Sequence, residues 1–159
     1  MSNMIRIVKG ELLEAKEKVI CHQVNCQNAM GSGVAKAIYS VYPEVKEEYH
    51  NRCEQVPKHD LLGSIQLVPI KSLQNYKLVI NIFGQYDYGR KKKQYTDYHA
   101  LKHAFTLIND MVESGTLLES ELAFPHCFGC GLAGGDWAVV EALMLECMPS
   151  VDITIYKKD

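Results

Sequence analysis

Apolar residues along this chain follow two rhythms. Short apolar or β-branched runs at Met4 to Lys9, Lys18 to Val24, Ser64 to Ile70, Leu78 to Phe83, Glu121 to Phe124 and Asp152 to Tyr156 are bounded by Gly, Pro, Asn or Asp and predict six strands. Between them the period lengthens. Gly33 to Tyr42 and Glu44 to Cys53, divided by Pro43, predict two helices. Asp97 to Ser114 places Leu101, Ala104, Phe105, Ile108, Met111 and Val112 on one face, and Trp137 to Met148 does the same with Trp137, Val140, Leu143, Met144 and Cys147. Asp136 is the predicted N-cap of this last helix, and Pro149 follows its end. Strands alternating with helices predict an α/β fold: a largely parallel sheet covered on both faces, with ligands at the carboxyl ends of the strands.

Two glycine-rich turns fall at such ends. The first, Met30-Gly31-Ser32-Gly33-Val34, joins the second predicted strand to the first predicted helix. Its glycines let a ligand approach the main chain, and a helix start adds unpaired N–H groups and partial positive charge, which suits phosphate. The second, Phe128 to Trp137, lies between the fifth strand and the last helix. Two such loops can grip a diphosphate from both sides.

Composition narrows the ligand. The 159 residues, 47% hydrophobic, are enough for one compact domain over 1–159. A formal net charge of −2 offers no general attraction to nucleic acid or an anionic membrane, so an anionic ligand must be held by local geometry, and a small one is expected. No stretch approaches a membrane span and the start lacks a signal-peptide pattern, so the chain is expected to be soluble and cytoplasmic, with no membrane partner. The six cysteines sit mostly in apolar runs and are expected to be reduced thiols. Cys21/Cys26 and Cys127/Cys130, with His22 and His126 beside them, also permit a zinc reading. Small residues in a tight turn explain the same spacing, and neither metal nor cofactor is expected. Arg90, Lys91, Lys92 and Lys93, among Tyr86, Tyr88, Tyr95 and Tyr98, read as a lid or rim near an anionic small ligand, or as a solvated loop.

Gly10-Glu11 after the first strand, His22 to Asn25 before the Met-Gly-Ser-Gly-Val turn, the Cys-Gly-Leu-Ala-Gly-Gly-Asp-Trp loop and the closing Ile-Thr-Ile-Tyr strand together resemble a macrodomain. The likeness covers essentially the whole chain. Within the family it resembles the branch of the ADP-ribose 1''-phosphate phosphatases and the terminal ADP-ribose protein glycohydrolases, which share the His at 22, a Tyr-Pro-Glu-Val segment and Leu-Leu-Gly before the third strand. The resemblance implies a three-layer α/β/α fold with a mixed sheet of about six strands and helices on both faces. It also implies a crevice for ADP-ribose or a derivative, with an ADP-ribosylated protein or nucleic-acid end as further partners.

By the same resemblance, Gly31, Ser32, Gly33 and Val34 form the first diphosphate loop, and Gly129, Cys130, Gly131, Leu132 and Ala133 the second. Glu11, with Leu12, stands where the adenine amino group is bound, Asn25 at the distal ribose, and Tyr156 beside adenine. Ala133 stands where many members place an aromatic against the distal ribose, with Phe128 and Trp137 as alternatives. It also stands where the glycohydrolase has its catalytic Asp, so that chemistry is not simply inherited. His22 is the candidate general acid or base, or a core histidine bonded to a carbonyl. Asp136 either orients His22 or a water, or only caps its helix. Three functions remain open: hydrolysis of a group on the distal ribose, removal of ADP-ribose from protein or DNA, and non-catalytic reading of ADP-ribose.

Overall fold

The computed structural model describes residues 5–31, 33–71 and 75–158. Its elements run β1 (Ile5–Lys9), β2 (Val19–Asn25), α1 (Gly33–Val41), α2 (Pro43–Gln55), α3 (Lys58–Leu61), β3 (Ile65–Pro69), β4 (Leu78–Gln85), α4 (Tyr98–Glu113), β5 (Glu121–Pro125), α5 (Trp137–Cys147) and β6 (Asp152–Lys157). All six predicted strands and four predicted helices are present. Met4, the expected start of the first strand, lies outside the described residues. Two elements escaped the sequence, the single 3-10 turn Leu12–Glu14 and the four-residue α3, because neither is long enough to carry a period.

The strands form one sheet in the order β1-β6-β5-β2-β4-β3. Every pair is parallel except β3 with β4, so the sheet is largely parallel and mixed, as expected, with the reversed strand at one edge. The physical cause lies in the short connection: eight residues separate β3 from β4, fewer than the dozen or so that a parallel crossover needs. On one face α4 and α5 pack Leu101, Phe105, Ile108, Val140 and Met144 against Val19, Ile80, Ile82, Phe124 and Ile155. On the other, α1, α2 and α3 bring Ile38, Val45, Tyr49 and Leu61 onto Ile20, Val24, Val68, Val79 and Phe83. The result is a three-layer α/β/α fold. Each fully buried Leu, Ile or Phe contributes about 1.5–3 kcal/mol relative to exposure, so the two cores fix the strand ends firmly. No described helix is long and apolar enough to cross a membrane.

The second core contains a polar seam. His22 pairs in register with Asn81, and Asn81 with Gln66 across the antiparallel pair. Their side chains join as His22 Nε2 to Asn81 Oδ1 (2.5 Å), Asn81 Nδ2 to Gln66 Oε1 (3.0 Å) and Gln66 Nε2 to the Glu48 carbonyl of α2 (2.8 Å).

Candidate functional site

Two cavities open where β2, β4, β5, β6 and β1 end. The first, about 440 Å³, is lined by Gln23, Asn25, Met30, Gly31, Gln85, Tyr88, Arg90, Leu132 and Ala133, among others. The second, about 480 Å³, is lined by Gly10, Glu11, Leu12, Gly33, Val34, His126, Tyr156, Lys157 and Lys158, among others. Both volumes fall within the roughly 300–1,000 Å³ of small-molecule sites. Gly31 lines the first cavity and Gly33 and Val34 the second, so residues of the first glycine turn border both. Ser32 lies outside the described residues. Gly33 opens α1 at φ +61°, a conformation that favours glycine, and the first N–H groups of that helix have no partner within it. An anion bridging the cavities would meet these amides at the positive end of α1.

The first cavity is shaped by a slip in the sheet. β2 pairs evenly with β4 up to Val24 and Phe83, then Asn25 pairs with Gln85, leaving Gly84 as the extra residue. Such bulges re-aim side chains next to binding sites. Gln23 Nε2 donates to Gln85 Oε1 (2.8 Å) and to Thr96 Oγ1 (2.9 Å), and Thr96 donates to the Gly129 carbonyl (2.6 Å). Tyr95 and Thr96 amides donate to the Ala133 carbonyl at 2.7 and 3.0 Å. The second glycine loop is thus tied to the strand ends through Thr96, and it presents Leu132 and Ala133 to the cavity.

Asn25 lines this cavity, and its amide is largely spent on the chain itself. Oδ1 accepts from the Gln27 amide (2.9 Å), and Nδ2 donates to the Ala29 carbonyl (2.7 Å). The buried Tyr49 hydroxyl of α2 lies 2.9 Å from both Asn25 O and Oδ1, and accepts from the Ala29 amide at 3.1 Å. One Nδ2 hydrogen remains for a ligand. Asn25 therefore shapes the turn into the glycine loop as well as facing the cavity.

In the second cavity, Glu11 is exposed and pairs with Lys158 (3.5 Å). The Tyr156 ring lies against Gly10, where a Cβ would come within 3.6 Å of it. The Tyr156 hydroxyl donates to Glu17 Oε1 (2.5 Å), and burial together with this bond pushes its pKa up to about 12. Glu11, Leu12, Gly33, Val34 and Tyr156 are thus brought together, as are Asn25, Gly31, Leu132 and Ala133 on the other side.

Several expected site residues are elsewhere. His22 is 1% exposed and lines neither cavity; it belongs to the polar seam under α2. Burial lowers its pKa to about 4 against the hydrogen bond that its Nε2–H donates to Asn81 Oδ1, so the ring is neutral near pH 7. This placement fits the core-histidine alternative, with a side-chain amide oxygen as partner rather than a backbone carbonyl. Asp136 is exposed and outside both cavities; Oδ1 accepts from the Ala138 amide (2.9 Å), as a helix cap does. The two proposed catalytic groups do not meet across the crevice. Gly129, Cys130 and Gly131 line neither cavity. Phe128 is core, packed on Phe105 and Phe124, so it cannot replace the missing aromatic. Tyr88, 54% exposed at the rim, is the aromatic that the cavity does have.

Sequence reasoning missed Gln23 and Gln85, which strand alternation and the bulge place in the cavity, and Lys157 and Lys158. Of the basic loop, Arg90 lines the first cavity and Lys93 lies over the Tyr95 ring at 4.7 Å. All six cysteines are free thiols, and no group of three His, Cys, Asp or Glu among the described residues is placed to hold a metal.

The Macro domain family matches residues 21–144, spanning both glycine loops and the strands that carry them. The chain belongs to that family. A relative in Saccharomyces cerevisiae, ADP-ribose 1''-phosphate phosphatase, is 27% identical to this macrodomain over 180 residues, covering 99% of each chain. A DNA ADP-ribosyl glycohydrolase of Mycobacterium tuberculosis is 27% identical over 157 residues, covering 96% of this macrodomain and 42% of the glycohydrolase. The macrodomain of Mycobacterium tuberculosis DarG superposes with a TM-score of 0.79 at 25% identity over 97% of each chain.

Proposed function

We propose that this macrodomain binds ADP-ribose and hydrolyses the phosphate of ADP-ribose 1''-phosphate. The observation that carries the reading is the paired cavity divided by the Gly31–Val34 turn. A ligand with bulky ends joined by an anionic bridge fits it: adenosine in the second cavity against Tyr156 and Glu11, the diphosphate on the α1 amides, and the distal ribose beside Asn25 and Gln85. The names of relatives on both sides of the comparison, a phosphatase and a glycohydrolase, support an ADP-ribose derivative as ligand.

The choice of reaction rests on what the first cavity contains. Among the described residues that line it, Arg90 is the one cation, and none is a carboxylate or an imidazole. Cleaving a glycosidic bond calls for a group that protonates or displaces the leaving atom. Phosphoryl transfer through a loose transition state asks mainly for positioning and charge stabilisation, which a guanidinium and oriented amides supply. The test is calorimetry with ADP-ribose, ADP and AMP, followed by phosphate release from ADP-ribose 1''-phosphate. Tighter binding of ADP-ribose than of ADP, with phosphate release, is expected. Binding without release would make the protein a reader, and no binding at millimolar ligand would refute the reading.

A further inference from the structure

We infer that Cys127 and Cys130 form a reversible redox pair, closing to a disulfide that reshapes the loop walling the ligand crevice. The argument begins with the turn. The Cys130 amide donates to the Cys127 carbonyl at 2.8 Å, an i to i+3 bond that closes a β-turn. A β-turn holds its end Cα atoms within about 7 Å, and disulfides span Cα distances of roughly 4.4–6.8 Å, so the backbone needs little rearrangement. Cys127 adopts φ +57°, a conformation uncommon for a residue with a side chain, and its thiol is exposed. Outliers of this kind concentrate at functional positions.

The two thiols are not equivalent. Cys127 Sγ lies 3.3 Å from His126 Nδ1, which can take its proton. Cys130 is half-buried, with its thiol donating to the Phe128 carbonyl at 3.4 Å. Burial and the adjacent Cys127 push its pKa up to about 11, so it stays protonated while Cys127 reacts. With a hydroperoxide as oxidant, Cys127 sulfur attacks the terminal oxygen, the O–O bond breaks, and the proton passing through His126 leaves with the departing oxygen. This forms a sulfenic acid. Cys130 sulfur then attacks that sulfur, and its proton departs with the hydroxyl as water. With hydrogen peroxide, two thiols and one peroxide give one disulfide and two waters.

The loop connects this chemistry to the crevice. His126 lines the second cavity, Leu132 and Ala133 line the first, and the His126 ring packs on Trp137 with centroids 5.2 Å apart. Drawing the two sulfurs to bonding distance takes Cys130 off the Phe128 carbonyl and shifts the segment between. The effect on ligand affinity rests on the ADP-ribose reading; disulfide formation does not.

The experiment treats the reduced full chain with hydrogen peroxide, alkylates it and counts labelled cysteines by peptide mass spectrometry. Emission of Trp137, the single tryptophan, and ADP-ribose titrations before and after oxidation are read alongside. Alkylated cysteines should fall from six to four, the loss confined to Cys127 and Cys130 and reversed by dithiothreitol. Trp137 emission should change with the same time course, and ADP-ribose affinity should fall by roughly five-fold or more. C127S and C130S should each abolish the coupled loss. Retention of all six thiols, or loss of Cys26 and Cys53 instead, overturns the pair; unchanged Trp137 emission overturns the reshaping. Unchanged affinity after oxidation overturns the control of binding, whereas a reduced protein that ignores ADP-ribose would refute the ligand reading and leave the thiol and fluorescence results decisive for the pair.

Discussion

Replacing Tyr49 with Phe removes one oxygen atom from the core and isolates what holds the Asn25 turn in place. The hydroxyl, on a fully buried residue of α2, donates toward Asn25 O and Oδ1 and accepts from the Ala29 amide. The ring stacks on Phe83 with centroids 5.9 Å apart, and Phe preserves that packing, so no large cavity opens. Each lost hydrogen bond costs about 0.5–1.5 kcal/mol, and leaving the Ala29 N–H unpaired adds about 1–3 kcal/mol. A net destabilisation of about 2–3 kcal/mol follows. For a chain of this length that lowers Tm by about 4–12 °C. Asn25 loses a partner of Oδ1 and turns more freely in the first cavity, so ADP-ribose binding should weaken roughly ten-fold, about 1.4 kcal/mol. On the proposed seating of adenosine in the second cavity, AMP should bind as before. Urea unfolding followed by circular dichroism gives the stability, and parallel titrations with the two nucleotides give the split. A variant within about 0.5 kcal/mol of wild type would show that the hydroxyl anchors nothing, and equal losses for AMP and ADP-ribose would refute the division of the crevice.

Other perturbations test the remaining joints. His22 has a folded pKa of about 4 against an ordinary 6.5, so between these values the unfolded chain binds more protons. Its contribution is complete above pH 6.5 and is lost as pH falls toward 4, on the order of 3 kcal/mol, and H22Q should flatten that slope in unfolding measured at pH 7.5 and 5. In G134A, the native φ of +74° is strained for alanine and the new Cβ would lie 2.3 Å from the Lys93 carbonyl, so the 93–96 segment must move; a loss of about 2–4 kcal/mol is expected in thermal unfolding. D136A removes the bond to the Ala138 amide and should cost about 1 kcal/mol in urea unfolding; a far larger effect on turnover than on stability would restore a catalytic role to Asp136. R90A should reduce phosphate release from ADP-ribose 1''-phosphate by roughly 10²-fold while changing ADP-ribose binding much less, as steady-state assays and calorimetry would show.

How much of this was legible depended on whether the information was local. The α5 boundaries were, because Asp136 and Pro149 mark both ends within the segment itself. So were the six strands, each an apolar run between breakers. The reversed direction of β3 was not, since it depends on how the chain between β3 and β4 returns rather than on either strand. The burial of His22 carries a local signal. Successive side chains along β2 alternate faces, so His22 goes with Ile20 and Val24 toward α2, opposite Val19 and Cys21. The bulge that sets Gln85 against Asn25 has no comparable signature beyond Gly84, and the arrival of Arg90 at the cavity depends on the path of an entire loop.

The emptiness of the first cavity in acids and bases also bears on how an acidic chain can process an anionic ligand. With a net charge of −2, long-range attraction is absent, and binding must come from groups already oriented before the ligand arrives. The α1 amides are fixed by the helix, the Ala133 carbonyl by Tyr95 and Thr96, and Asn25 by Tyr49, Gln27 and Ala29. None of these groups changes charge near pH 7. Phosphate removal built on them should therefore show a pH profile set by the phosphate itself and by loss of fold stability through His22 at low pH, without the bell shape produced by a catalytic acid and base. A bell with two limbs inside the range where the protein is fully folded would mean that a titrating side chain enters the cavity during turnover, and would return His22 or Asp136 to the reaction.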